Sequence, residues 1–146
     1  MMTTAAQIAA IQKAFSDMCR RAGDSEVKFA TLAGAEVERT AKTLMRDTQT
    51  NPDVTYSGGH HPSVPGDAPA VDTGTLRRSI THEVGEEDGT AYSLVGSTIL
   101  NPPYGAYLEY GTSKMKPRPW LSQALIKCQS FMAELWKSLC KETTDA

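Results

Sequence analysis

Apolar residues recur every three or four positions over the first part of the chain. Ile8, Ile11, Phe15 and Met18 share one face of a helix spanning about residues 4–21. Thr3 or Thr4 is placed to cap its start, and Arg20 and Arg21 complement its carbonyl end. Gly23 supplies a left-handed stop or, read alternatively, a kink inside one long bent helix. A second periodic stretch covers about residues 25–47, with Val27, Ala30, Gly34, Val37, Ala41 and Leu44 on its seam. Three of those six are Ala or Gly, so another backbone can approach closely. Glu38 and Lys42 form an oriented i,i+4 pair on the opposite face, expected to be solvated.

The periodicity stops at residues 49–72. Pro52, Pro62, Pro65 and Pro69, with Gly58, Gly59 and Gly66, break any regular pattern. Little apolar area is available there to offset ordering entropy, so the stretch is expected to be a mobile arm that orders against a partner outside its own domain. A short helix follows at residues 72–79. Asp72 or Thr73 is placed to accept its first free amides, Leu76 and Ile80 anchor it to the core, and Arg77 and Arg78 point outward or along the rim.

Strict alternation then takes over. Ile80, His82 and Val84 alternate with polar residues, as do Ala91, Ser93 and Val95 with their neighbours, across an acidic, Gly-flanked turn at residues 85–89. This is a β-hairpin. Tyr104, Tyr107 and Tyr110 are spaced three apart, as on one side of a helical turn that Gly111 ends. Residues 114–119 are basic and Pro-rich and exclude regular helix. The last helix is expected from Pro119 to about residue 141. Its seam of Leu121, Leu125, Cys128, Met132, Leu135 and Leu139, broadened by Trp120, Phe131 and Trp136, is expected to be core. The pattern predicts one α+β domain over residues 1–146: N-terminal helices (4–47), an arm (49–72), then a short helix, a hairpin and a long C-terminal helix (73–141). The helices would pack on a small twisted antiparallel sheet.

Composition narrows the function classes. The chain has 146 residues, 40% hydrophobic and 22% charged, ordinary for a globular protein. A net charge of −2 argues against a protein that holds nucleic acid by bulk electrostatics. No apolar run approaches the roughly 18 residues of a membrane span. The first residues lack a basic region followed by an apolar one, so an intracellular site of synthesis is expected. Cys19, Cys128 and Cys140 are odd in number, contain no C-x-x-C and sit at apolar-periodic positions, which predicts small buried hydrophobes.

Candidate chemistry is sparse. His60 and His61 with Asp67 or Asp72 lack a recognised metal spacing, and the acidic turn lacks calcium-loop spacing. Glu109 is isolated between Asp88 and Glu134, with no acid or base partner at a familiar spacing, so it reads as a salt bridge or a cap to backbone amides. No metal, cofactor or catalytic residue is expected.

Three segments carry a resemblance. They are Val71-Asp72-Thr73-Gly74-Thr75-Leu76-Arg77-Arg78-Ser79-Ile80, then Tyr104-Gly105-Ala106-Tyr107-Leu108-Glu109-Tyr110-Gly111-Thr112, then Pro117-Arg118-Pro119-Trp120-Leu121. In this order, around a hairpin, they resemble the tail-completion (head–tail joining, minor tail) proteins of lambda-like long-tailed phages. The match covers about residues 71–125. The resemblance implies a virion protein of the neck or tail, made in the host cytoplasm, that completes the tail end by forming a ring, sixfold, around the DNA channel. It implies no enzyme activity. Its partners would be copies of itself and neighbouring head-closure, tail-terminator or tail-tube proteins, with DNA only as cargo and no membrane. The matching positions, Thr73, Gly74, Leu76, Arg77, Ser79, Tyr104, Tyr107, Glu109, Gly111, Thr112, Pro119 and Trp120, are then structural or interface residues. The alternatives are a tail-terminator ring protein, a hydrolase using His60, His61 and Glu109, and a DNA-binding accessory using Arg77, Arg78 and residues 114–118.

Overall fold

The computed structural model describes residues 4–55 and 61–145, with residues 4–8 as backbone only. A single helix, α1 (Thr4–Asp47), runs where two were expected. Gly23 does not adopt a left-handed conformation, and nothing lies near the position its Cβ would take. One exposed glycine costs a helix only about 1 kcal/mol relative to Ala, too little to break a run of helix formers on both sides. The remaining elements are α2 (Thr75–Ser79), β1 (Ile80–Glu87), β2 (Thr90–Ser97), α3 (Tyr104–Tyr110) and α4 (Leu121–Asp145).

The architecture is α+β. α1 and α4 lie antiparallel: Ser25 Oγ meets Thr143 Oγ1 at 2.8 Å near one end, and the Cys128 thiol donates to Thr40 Oγ1 at 3.3 Å further along. The β1–β2 hairpin packs across α1. Gly34 is where it comes closest. A Cβ there would stand 2.0 Å from Ser93 Oγ, so any other residue would have to displace that side chain.

The hairpin is tighter than its sequence pattern implied. β1 pairs with β2 from Ile80↔Ser97 to Glu87↔Thr90, leaving only Asp88 and Gly89 as the turn. Both have positive φ, 51° and 75°. Asp-Gly is the dipeptide that such a two-residue turn favours, because it matches the twist of the strands. Gly85, Glu86 and Glu87, expected in the turn, are strand residues.

The core cluster joins Val37, Ala41 and Met45 of α1 to Ala68, Ile80, Trp120, Ala124 and Cys128. Leu44, Leu76, Val95, Leu108, Leu121 and Met132 pack around it. Ala41 and Ala124 are both fully buried, so the two long helices approach through their smallest residues. That approach turns the buried face of α4 away from its largest side chains. Ala124, Cys128 and Leu139 are buried, Leu121, Met132 and Leu135 are half-buried, and Leu125 is 49% exposed. The expectation that Leu125 is core is thereby corrected. A two-stranded sheet is too small to cover the wide face that Leu125, Phe131 and Trp136 present. Trp136 is held edge-to-face against Phe29, with ring centroids 5.3 Å apart. Cys128 is buried as expected, but Cys19 and Cys140 are exposed.

Two further expectations are revised. Glu38 does not sit on a merely solvated face. Its carboxylate accepts from Lys42 and lies 2.6 Å from His82 Nδ1, linking α1 to β1. The Lys42 hydrogen bond, followed by that from His82, holds Glu38 below the ordinary carboxylate range. The described residues of the 49–72 arm are also folded onto their own domain. Thr50 and Ser63 form an isolated bridge, and the Asn51 amide donates to Pro62 O at 2.6 Å. Ser63, Ala68 and Pro69 are buried. Carbonyls of this irregular stretch find side-chain partners: Arg118 Nε donates to Ser63 O at 3.2 Å and Gln123 Nε2 to Gly66 O at 2.7 Å. The Gly66 amide in turn donates to Pro117 O at 3.0 Å.

Candidate functional site: an apolar groove built from three segments

The Thr73–Ser79 region turns on Gly74. Its φ of 75° places it in the left-handed region at the start of α2, where it stands as N-cap without a side-chain cap bond. The expected cap from Asp72 or Thr73 takes a different form. Thr73 Oγ1 pairs with Thr75 Oγ1 at 2.8 Å and accepts weakly from the Thr75 amide at 3.4 Å, while the Gly74 carbonyl accepts from the Arg78 amide at 2.9 Å. Arg78 does not simply reach outward. Its Nη1 folds back to donate to Thr73 O at 3.2 Å, locking the turn. Ser79 donates to Leu76 O at 2.7 Å and meets Ser97 Oγ at 2.8 Å, which fastens the short helix to β2. Leu76 packs on the core, and Arg77 is half-buried.

α3 supplies the second wall. Gly105 is buried where Trp120 crosses it: Trp120 Nε1 donates to Gly105 O at 2.9 Å, and a Cβ at Gly105 would lie 3.2 Å from the indole. Gly111 ends α3 with φ 76° and ψ 178°. A side chain there would meet Met115 O at 2.8 Å and Pro117 N at 2.9 Å, so both the conformation and the space demand glycine. Thr112 and Met115 then exchange backbone hydrogen bonds across a tight loop.

Glu109 connects α3 to α4. Oε2 accepts from the Trp120 and Leu121 amides at 2.8 and 2.9 Å, and Oε1 from the Ser122 amide at 3.0 Å. These are orphan donors of a helix start, and a carboxylate answers both their hydrogen-bonding need and the positive end of the macrodipole. Burial opposes the charge, but the hydroxyl of Ser122 and the three amides outweigh it and hold Glu109 below its ordinary 4.5. α4 therefore begins at Leu121 rather than at Pro119, with the cap supplied from a residue eleven or more positions upstream.

Between these walls lies a groove of about 660 Å³. Thr73, Gly74, Leu76, Arg77, Tyr104, Tyr107 and Thr112 line it. Ser79, Glu109, Gly111, Pro119 and Trp120 stand outside the lining, and four of them brace its walls by the contacts just described. The sequence did not mark Met45, Pro69, Val71, Ile99 or Met115 as groove residues, yet all five line it. Pro69 belongs to the stretch taken as an arm and is buried, whereas Val71, the first residue of the resemblance segment, is exposed. Tyr110 is absent from the lining and is highly exposed. Three-residue spacing on an α-helix drifts about 60° per step, so the third tyrosine leaves the face the first two share.

Other candidate chemistry stays dispersed. His60 lies outside the described residues. His61 Nδ1 is 3.1 Å from Val54 O in a local contact. Among the described residues no three His, Cys, Asp or Glu side chains cluster to hold a metal ion, and no helix is long and apolar enough to cross a membrane. Arg118, part of the basic stretch in the DNA-binding alternative, is buried. No known protein family, curated protein or solved structure matches this chain. The resemblance to tail-completion proteins therefore stands on its motif residues alone.

Proposed function

We propose that this chain is a structural protein of a phage neck, assembling as a ring that completes the tail end so that head and tail join. The observation that carries this reading is the convergence of the motif segments. Residues from three separated stretches line or brace one mainly apolar groove, in which exposed tyrosines and aliphatic side chains stand beside Asp72, Arg77 and three threonines. Such a surface suits protein contact. A second apolar surface is exposed on the first half of α1, where Ile11 and Phe15 are 69% and 63% accessible. Function here is interface formation: a folded core, a bracing network around Glu109 and Trp120, and apolar faces for neighbouring subunits. Copies of the chain, with adjoining neck and tail proteins, would surround DNA that passes as cargo. An image of the intact particle tests this directly. Density for this chain in a symmetric ring at the head–tail junction is expected, and a particle that lacks it there overturns the reading.

A further inference from the structure

Arg118 lies between α3 and α4 with its side chain turned inward, and the residue is only 7% exposed. Its amide donates to Leu108 O at 2.7 Å, and its Nε donates to Ser63 O at 3.2 Å. Among the described residues no carboxylate pairs with the guanidinium. Glu109 is committed to the amides of Trp120, Leu121 and Ser122, and Asp67, in the turn after Ser63, is exposed and forms no ion pair. Residues 1–3, 56–60 and 146, outside the described set, include no Asp or Glu. Lys114 and Lys116 of the same loop are exposed and likewise without an ion pair among the described residues. A guanidinium is always charged in a protein and carries five N–H donors, so with Nε spent on Ser63 the four on its terminal nitrogens are left over. Both terminal nitrogens meet the surface, since the unpaired atoms sealed away from it are Arg21 Nε, Ser63 Oγ and Ser93 Oγ.

We propose that the Arg118 guanidinium is the floor of a binding site for a carboxylate. A charge withdrawn this far from water is unfavourable unless an opposite charge answers it, and this one is answered by nothing in the described chain. What is missing is both a negative charge and a set of hydrogen-bond acceptors, and a neutral ligand supplies only the second. The fork is already aimed. Ser63 O fixes Nε and with it the plane of the guanidinium. The Gly66 amide on Pro117 O and Gln123 Nε2 on Gly66 O pin the Ser63 stretch to the segment that carries Arg118. Ser63 contributes its carbonyl alone, because its hydroxyl is sealed off. Charge and room then choose the ligand. One unpaired positive charge is balanced by the single negative charge of a carboxylate, whose two oxygens match the planar fork. An opening that leaves the residue 7% exposed favours that flat group over a tetrahedral phosphate. Lys114 and Lys116 add to the positive potential of the loop, which draws an anion toward it.

The test titrates the full-length protein with sodium formate, against sodium chloride at equal ionic strength. In proton–nitrogen correlation spectra the Arg118 Nε–H signal, assigned by its loss in Arg118→Lys, is expected to move saturably with formate and to stay in place with chloride. Arg118→Lys keeps the charge and loses the fork. It is expected to bind formate at least about tenfold more weakly, read from the rise of its melting temperature with formate. Arg118→Met, which removes the charge and fills the space, serves if the lysine variant does not fold, and its melting temperature is expected to be the same in formate and chloride. N-acetylglutamate amide in place of formate distinguishes the sources of the carboxylate. Binding of both means that the site admits a protein side chain, and binding of formate alone restricts it to free small acids. A wild-type signal that stays in place, that moves equally in chloride, or that responds to inorganic phosphate and not to formate overturns the proposal. So does an Arg118→Lys or Arg118→Met protein whose melting temperature responds to formate as wild type does.

Discussion

The two halves of α1 obey the same periodicity and meet opposite fates. In the second half the seam residues Ala30, Ala33, Val37, Ala41 and Met45 are buried beneath α4 and the hairpin. In the first half the larger Ile11, Phe15 and Met18 are exposed. The second half is covered because its alanines let other backbones come close, and Ile11, Phe15 and Met18 stand free because little in the described chain reaches them. Hydrophobic spacing thus announces that a face is to be covered. It does not say whether the cover is the chain itself or another molecule.

The difference can be broken most forcefully from the core side. Trp120 is buried against Gly105 and joins the cluster that covers the second half of α1. Trp120→Ala should cost about 3–5 kcal/mol, a large share of the ~5–15 kcal/mol of a typical domain, and lower the midpoint in a urea titration accordingly. Ala41→Leu adds volume at a fully buried position of the cluster that also holds Ala124 of α4. It should destabilise by about 1–3 kcal/mol in the same titration, whereas an unchanged midpoint would mean that the helices can part.

Glu109 sharpens the contrast in a third way, because it fixes the angle at which α4 leaves toward α1. Glu109→Gln keeps one acceptor but replaces the other with a donor facing backbone amides. The expected loss is about 0.5–2 kcal/mol, read as a lower melting temperature. The effect should depend on pH. The folded-state pKa of Glu109 lies below its ordinary 4.5, so its stabilisation is present above that value and disappears as pH falls through the lower, folded one. Wild type and Glu109→Gln should therefore converge in stability in acid, and parallel curves down to the lowest pH would rule the carboxylate cap out. The smallest effect is expected at Phe15. Phe15→Ala should leave the melting temperature of dilute protein unchanged within about 0.5 kcal/mol, since an exposed side chain loses no packing. A clear drop would show that the first half of α1 is covered in the single chain after all.

Much of this was legible in advance. The α+β class, the hairpin and the last helix followed from periodicity and alternation, and the amide cap was one of two roles open to the isolated Glu109. The Asp88-Gly89 turn was legible too, but its acidic neighbours Glu86 and Glu87 disguised strand residues as loop. Leu125 shows a different limit. Periodicity finds the apolar stripe of α4, yet which side of that stripe is buried depends on the cluster that Ala41 and Ala124 join, built from distant segments. The groove was half legible. Its motif residues could be named from the resemblance, but Met45, Ile99 and Met115 join it only through tertiary folding. The arm was misjudged because Pro and Gly content reports the lack of regular structure, and the described residues are held irregularly, by Arg118 and Gln123.

The antiparallel pairing of α1 with α4 also sets an order of events during synthesis. Ser25 and Thr143 touch across 118 positions of sequence, so α1 waits for α4. Until α4 emerges, both halves of α1 present their apolar faces to the surroundings, and loop closure over nearly the whole chain must precede their separation into covered and uncovered. The hairpin and the Glu109-capped turn are local and can form early, which shortens the effective loop. A ribosome stalled before residue 121 would thus hold a chain in which the hairpin alone covers α1 and the face meant for α4 stays adhesive.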